Sequence, residues 1–97
     1  MAARRLRVVE GALEAIRGLH PDGRRLVREA LDALIADPYL GTELRAELVG
    51  SRRVGVGRLR IVYRVGRSTI DIVAVGPRAT VYEELTARVL RERRKKA

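Results

Sequence analysis

Residues 52–65 run Arg52-Arg53-Val54-Gly55-Val56-Gly57-Arg58-Leu59-Arg60-Ile61-Val62-Tyr63-Arg64-Val65. Two alternating apolar runs flank Gly57-Arg58. A two-residue loop with Gly first is the signature of a type II′ hairpin, whose backbone twist matches that of the strands it joins. With Gly57 and Arg58 as the loop, Val56 stands opposite Leu59, Gly55 opposite Arg60, Val54 opposite Ile61 and Arg53 opposite Val62. Side chains alternate along a strand. Val54, Val56, Leu59, Ile61 and Tyr63 therefore share one face, the core side. Arg53, Gly55, Arg60, Val62 and Arg64 share the other, which is cationic. A slip of one residue in the turn would send Arg53 and Arg60 to opposite faces. Gly55 opposite Arg60 leaves a hollow where a base or ribose can approach the backbone.

Outward from the hairpin, Ser68-Thr69 opens a further strand, Ile70 to Val75. Thr80 to Arg91 shows helical spacing through Val81, Leu85 and Val89. The basic tail Arg91 to Ala97 is expected to fray. Upstream, Leu44, Ala46 and Leu48 alternate with Arg45 and Glu47, which fits a strand or an irregular extended segment closed by Gly50. Arg24 to Asp37 carries a one-sided apolar stripe of Leu26, Val27, Ala30, Leu31, Leu34 and Ile35, the pattern of an amphipathic helix. Asp37-Pro38 ends it, because the residue before Pro is pushed away from helical angles. His20-Pro21-Asp22-Gly23 is a break, with Asp22 as an N-cap or first-turn acid. Gly11 to Leu19 is a shorter helix, and Arg4 to Val9 alternates as a short half-buried strand. The order implies an α+β fold. Two N-terminal helices pack on one face of a small, mostly antiparallel sheet of about four strands, followed by a C-terminal helix.

The chain has 97 residues, of which 46% are hydrophobic, and no Cys. Its length suggests one domain over residues 1–97, and disulfides and thiolate metal sites are excluded. Its apolar runs are far shorter than the roughly 20 residues of a membrane span, and the N-terminus lacks the apolar stretch of a signal peptide. A cytoplasmic protein without a membrane partner is the expectation. The formal net charge is +9, and all but two of the 21 basic residues are Arg. A GC-rich coding sequence would favour Arg over Lys, yet it does not account for the excess of positive charge. Arg offers a planar fork of donors suited to phosphate. A cationic sheet face on so small a chain points to a polyanion, RNA or DNA.

The ordered set of Leu19-His20-Pro21, Asp37-Pro38, Leu44-x-x-Glu47-Leu48-x-Gly50, the hairpin itself, Val73-x-Val75-Gly76-x-Arg78 and Val81-Tyr82 resembles the RelE/ParE superfamily of bacterial toxins. The resemblance covers nearly the whole chain and is closer to the RelE branch. It implies the toxin of a type II toxin–antitoxin pair that cuts mRNA in the ribosomal A site and inhibits translation, without metal or organic cofactor. It implies a cognate antitoxin, acidic and helical, that forms a hetero-oligomer with the toxin, and mRNA and the ribosome as further partners. By position, Arg53 and Arg60 resemble the family's basic residues on the sheet. Arg78 resembles the arginine after the last strand, and Tyr82 the C-terminal tyrosine. Arg52, Arg58 and Arg64 would add RNA contacts.

Cleavage of RNA by its own 2′-hydroxyl needs that hydroxyl deprotonated, the phosphorane charge stabilised and the leaving oxygen protonated. Arginines suit the second task and are poor bases, because they stay protonated. Tyr82 suits base stacking or proton transfer. Three positions depart from the family pattern: Gly55 replaces a second basic residue, Pro77 stands where some members have His, and Leu59 replaces an aromatic. These departures keep two alternatives open. One is a ParE-like inhibitor of DNA gyrase that is not an enzyme, and the other is a decayed toxin that only binds its antitoxin. The lone His20 reads as a local turn contact, Tyr63 as a core residue and Tyr39 as a turn or core anchor.

Overall fold

In the computed structural model, which describes residues 4–96, the chain runs β1 (Arg5–Val8), α1 (Glu10–Arg17), α2 (Pro21–Ala36), β2 (Thr42–Glu43), a 3₁₀ turn (Ala46–Leu48), β3 (Arg52–Val56), β4 (Leu59–Val65), β5 (Thr69–Pro77) and α3 (Val81–Lys96). One sheet takes the order β1-β5-β4-β3-β2. Its neighbours are antiparallel except β1, which lies parallel to β5 with Arg5 opposite Thr69 and Val8 opposite Ile72. Five strands thus replace the expected four, the extra one being the two-residue β2 on the edge of β3.

Local chemistry explains the boundaries of α2. His20 is its N-cap, with Nδ1 accepting the Asp22 backbone N–H at 3.2 Å. Pro21 follows at the first helical position, where a missing N–H costs nothing. Asp22 in the first turn opposes the positive end of the helix dipole. At the other end Asp37 turns extended ahead of Pro38, as expected. The alternation around Leu44 to Leu48 does not make a strand. Ala46 sits at φ 56° and starts the 3₁₀ turn, which carries Leu48 into the interior.

Two cores hold the sheet, one on each face. On the first face Ala12, Val27 and Leu34 from the two N-terminal helices meet Val56, Ile61, Tyr63, Ile70, Ile72 and Val75. On the second, Val81 and Leu85 of α3 meet Val62 and Leu48. The helices therefore cover both faces of the sheet. Val62, expected among the arginines on an open face, is 0% exposed beneath α3. Between β4 and β5, Val62 pairs with Ala74 but Tyr63 pairs with Ile72, so Val73 is an extra residue. Such a bulge reverses the side-chain alternation. Ile72 and Val75 consequently both face the N-terminal helices, while Val73 and Ala74 both face α3. The helix runs on through Arg91–Lys96 rather than fraying at 91, and Ala97 lies outside the described residues.

Candidate nucleic-acid interface

The hairpin register is the one the Gly57-Arg58 loop predicts: Val56 opposite Leu59, Gly55 opposite Arg60, Val54 opposite Ile61, Arg53 opposite Val62. Gly57 has φ +61° and Arg58 has no positive φ, the pattern of a II′ rather than a I′ turn. On the next strand Arg60 stands opposite Gly76. Arg60 is thus flanked by glycine on both sides, in a lane that opens on the face of α3. Arg53 shares this face, as the residue opposite Val62. It is the diagonal neighbour of Arg60, a spacing of about 7–8 Å along such a sheet.

The hollow over Gly55 is not empty. The Arg60 guanidinium lies across it, with Nη1 donating to the Leu59 carbonyl at 3.0 Å and to the Gly57 carbonyl at 3.4 Å. Arg60 Nε is buried and has no partner. At the hairpin tip the exposed Arg58 and Arg78 are tied together, because the Arg78 backbone N–H donates to the Arg58 carbonyl at 3.2 Å. Four residues later Tyr82 leaves the start of α3. Its ring packs against the second core and its hydroxyl is buried without a partner. Arg58, Arg60, Arg78 and Tyr82 therefore belong to the junction of the hairpin, the end of β5 and the first turn of α3, while Arg53 shares the face of Arg60 further from the tip.

Arg52 and Arg64 stand elsewhere. Arg52 pairs with Tyr63 and so points to the face of the N-terminal helices. Its guanidinium donates to the Gly41 carbonyl at 2.8 and 3.1 Å, to the Tyr39 carbonyl at 3.2 Å and to Glu43 at 3.2 Å. This arginine clamps the segment between α2 and β2 rather than facing outward. Tyr39 lies exposed beside it, 5.4 Å from the Arg52 guanidinium and 5.8 Å from that of Arg4, so it marks the turn and not the core. Tyr63 is fully buried, as expected of a core residue. Arg64 is exposed near the far end of β4 and lines a cleft of about 470 Å³ with Arg88, Arg93, Val73, Leu85 and Val89. That cleft contains none of Arg53, Arg60, Arg78 and Tyr82.

One polar group escaped the sequence reasoning. Asp71 lies between Ile70 and Ile72 on the α3 side of the sheet, opposite Arg7 on β1 and Arg64 on β4, with Oδ1 buried and unpartnered. The signal was present as an acid inside an apolar strand. Among the described residues no group of three or more His, Cys, Asp or Glu stands close enough to hold a metal ion. No helix among them is long and apolar enough to cross a membrane.

Chemically, the junction offers one guanidinium held in place, that of Arg60, the exposed Arg58 and Arg78, and one buried, unpartnered phenol hydroxyl. Guanidinium forks bind phosphate oxygens in pairs and stabilise charge that develops on them.

Comparison with known proteins bears on what such a junction serves. Residues 23–82 match the model of a family described as the ParE toxin of type II toxin–antitoxin systems, parDE. A chain of the toxin–antitoxin complex RelBE2 from Mycobacterium tuberculosis is similar at 27% identity, covering 79% of this chain and 100% of that one, with a TM-score of 0.70. The isolated RelE toxin of E. coli is similar at 24% identity over 90% of this chain and 99% of that one, with a TM-score of 0.70. A chain of the archaeal RelE–RelB complex from Pyrococcus horikoshii OT3 follows at 22% identity, 81% and 99% coverage and a TM-score of 0.66. The last two likenesses are of fold. No curated protein matches the sequence.

Proposed function

As the match over residues 23–82 establishes, the chain belongs to the ParE toxin family of type II toxin–antitoxin systems, within the RelE/ParE superfamily; from that premise we propose that this toxin is a ribosome-dependent mRNA endonuclease that cuts in the A site. The observation that carries the proposal is the register of the hairpin, which gives Arg53 and Arg60 a common face. Arg78 at its rim and Tyr82 beside it complete the set.

In this scheme the 2′-hydroxyl gives up its proton to water and its oxygen attacks the scissile phosphorus. The bond to the 5′-oxygen breaks to leave a 2′,3′-cyclic phosphate, while Arg60 and Arg53 hold the phosphate and stabilise the charge that builds on it. Arg78 contacts the same phosphate or its neighbour from the rim. Tyr82, whose hydroxyl is buried in the free protein, is uncovered when RNA docks and then donates a proton to the leaving 5′-oxygen or stacks on a base. Arg58, at the hairpin tip, adds an RNA contact. The partner is a cognate antitoxin whose acidic, helical segment covers the basic surface, and the assembly is a hetero-oligomer.

A second proposal has one specific observation in its favour: the matching family model is that of ParE. By it the chain is a DNA gyrase inhibitor and not an enzyme. The two separate in a reconstituted bacterial translation system with primer extension on the message. The endonuclease proposal predicts A-site cuts with wild type that vanish with Arg60→Ala and Arg78→Ala. Intact message and unimpaired translation, together with gyrase–DNA cleavage complexes, would establish the alternative instead.

A further inference from the structure

We propose that Gly55 is a positioning residue. The space left by its missing side chain is the seat of the Arg60 guanidinium, and that seat sets which Arg60 donors meet an RNA phosphate. The inference rests on the endonuclease proposal above.

Glycine inside a strand is unfavourable, since it packs nothing and loses the most backbone freedom on folding. Gly55 occupies the fourth of the five positions of β3, beside the turn but not in it. Its φ is not in the left-handed region, which among the glycines is reserved to Gly50 and Gly57. The backbone there does not require glycine. What requires it is the neighbour. A Cβ on residue 55 would lie 2.8 Å from Arg60 Nη1, 3.2 Å from Cζ and 3.6 Å from Nε. All three atoms belong to one side chain; the approach to Nη1 is closer than a Cβ tolerates, and the one to Cζ is tight. On the other flank a Cβ at Gly76 would make only ordinary contact with Val81 at 3.5 Å. The guanidinium therefore leans over β3 and not over β5.

Seated there, Arg60 divides its donors. Nη1 is held by the Leu59 and Gly57 carbonyls. Nε is buried without a partner, which is costly and keeps it out of reach of an anion while Arg60 stays seated. Among the described residues Nη2 makes no hydrogen bond and is not closed off, so it is the donor left to a phosphate, in a charge-assisted hydrogen bond. The seat fixes Nη1 on the backbone and aims Nη2 at the anion. A side chain at 55 would displace the flexible end of Arg60 rather than any backbone, so the fold would tolerate it while Nη2 lost its aim.

The test is Gly55→Ala, in wild type and in an Arg60→Ala background. Ribosome-dependent cleavage of message is measured by primer extension, and exchange of the Arg60 Nε–H is followed by NMR. Cleavage is expected to fall about tenfold to a hundredfold, the scale of an ångström-level misplacement. The melting temperature should be unchanged or raised, because Ala restricts the unfolded chain. The protected Nε–H signal should be lost. In the Arg60→Ala background, where no cuts are expected, the comparison is read from affinity for a single-stranded RNA, and there Gly55→Ala should add nothing, since the two residues act as a unit. Equal cleavage by wild type and Gly55→Ala, or an equal loss of RNA affinity in both backgrounds, would overturn the proposal. An Nε–H that exchanges freely in wild type would overturn the seat itself. Should wild type cut no message, the endonuclease proposal fails and the functional half of this one fails with it, while the NMR comparison still decides whether the seat exists.

Discussion

Tyr63→Phe removes a single oxygen from the centre of the fold, and its cost can be worked out beforehand. The Tyr63 ring is 0% exposed. Its hydroxyl accepts the Gly41 backbone N–H at 2.9 Å and donates to the Pro38 carbonyl at 2.8 Å. These two bonds pin the segment that leaves α2 onto the middle of β4. Phe keeps the ring packing, so the change isolates the hydroxyl. The buried Gly41 N–H is left unsatisfied, at about 1–3 kcal/mol. The Pro38 carbonyl is only partly buried and keeps a second lone pair for water, so its share is about 0.5–1 kcal/mol. The sum is about 1.5–4 kcal/mol, a large part of the roughly 5–15 kcal/mol that holds a domain together. In a domain of this size it lowers the melting temperature by about 6–30 °C. Urea denaturation of the two proteins measures the difference, and amide exchange at Gly41 reports its location. A loss below about 0.5 kcal/mol, or unchanged protection at Gly41, would refute the account of how this segment is held.

Three further outcomes follow from the same geometry. Val62→Asp removes a fully buried apolar side chain and desolvates a carboxylate under Val81 and Leu85, a cost that Arg53 opposite offsets only in part. It should cost about 2–4 kcal/mol, seen as a large loss of melting temperature, whereas an exposed position would give less than about 0.5 kcal/mol. Arg52→Ala should cost about 1.5–3 kcal/mol through the two carbonyls it leaves, with little from the exposed Glu43, and cleavage per folded molecule in the translation assay should be unchanged. Arg53→Gln should flatten the dependence of log affinity on log salt for a single-stranded RNA by about 0.7, the share of one phosphate contact; an unchanged slope would remove Arg53 from the RNA surface.

The hairpin was legible because its information is local. Gly57-Arg58 sets the loop, and alternation on both sides sets the register, so the common face of Arg53 and Arg60 followed from the residues alone. The end of α2 was legible for the same reason, since Asp37-Pro38 acts within a turn of itself; its start was expected at Arg24 after a break and lies at Pro21, because His20 rather than Asp22 caps the helix. What was not legible depends on distant partners. Arg5–Val8 alternates like any half-buried strand, and nothing in four residues names Thr69–Ile72 as its parallel neighbour. Val62, between Ile61 and Tyr63 and flanked in turn by Arg60 and Arg64, looks like a gap in a solvated face. Its burial comes from α3, whose Val81, Leu85 and Val89 declare a helix but not the face it covers. The apolar run Ile70 to Val75 hides its bulge, because Val73 and Ala74 are as apolar as their neighbours. At the site, the residue types were readable and their contacts were not. Arg52 and Arg53 are adjacent in sequence, yet one clamps a loop and the other faces α3. The lodging of Arg60 over Gly55 and the burial of the Tyr82 hydroxyl exist only once the strands and α3 have met.

The most direct test of the central proposal maps the 5′ ends of a defined message incubated with purified wild-type toxin, with and without programmed ribosomes. The account predicts cuts confined to the A-site codon, dependent on the ribosome and absent with Arg60→Ala. Intact message on programmed ribosomes, with gyrase–DNA cleavage complexes appearing in a parallel reaction, would contradict it.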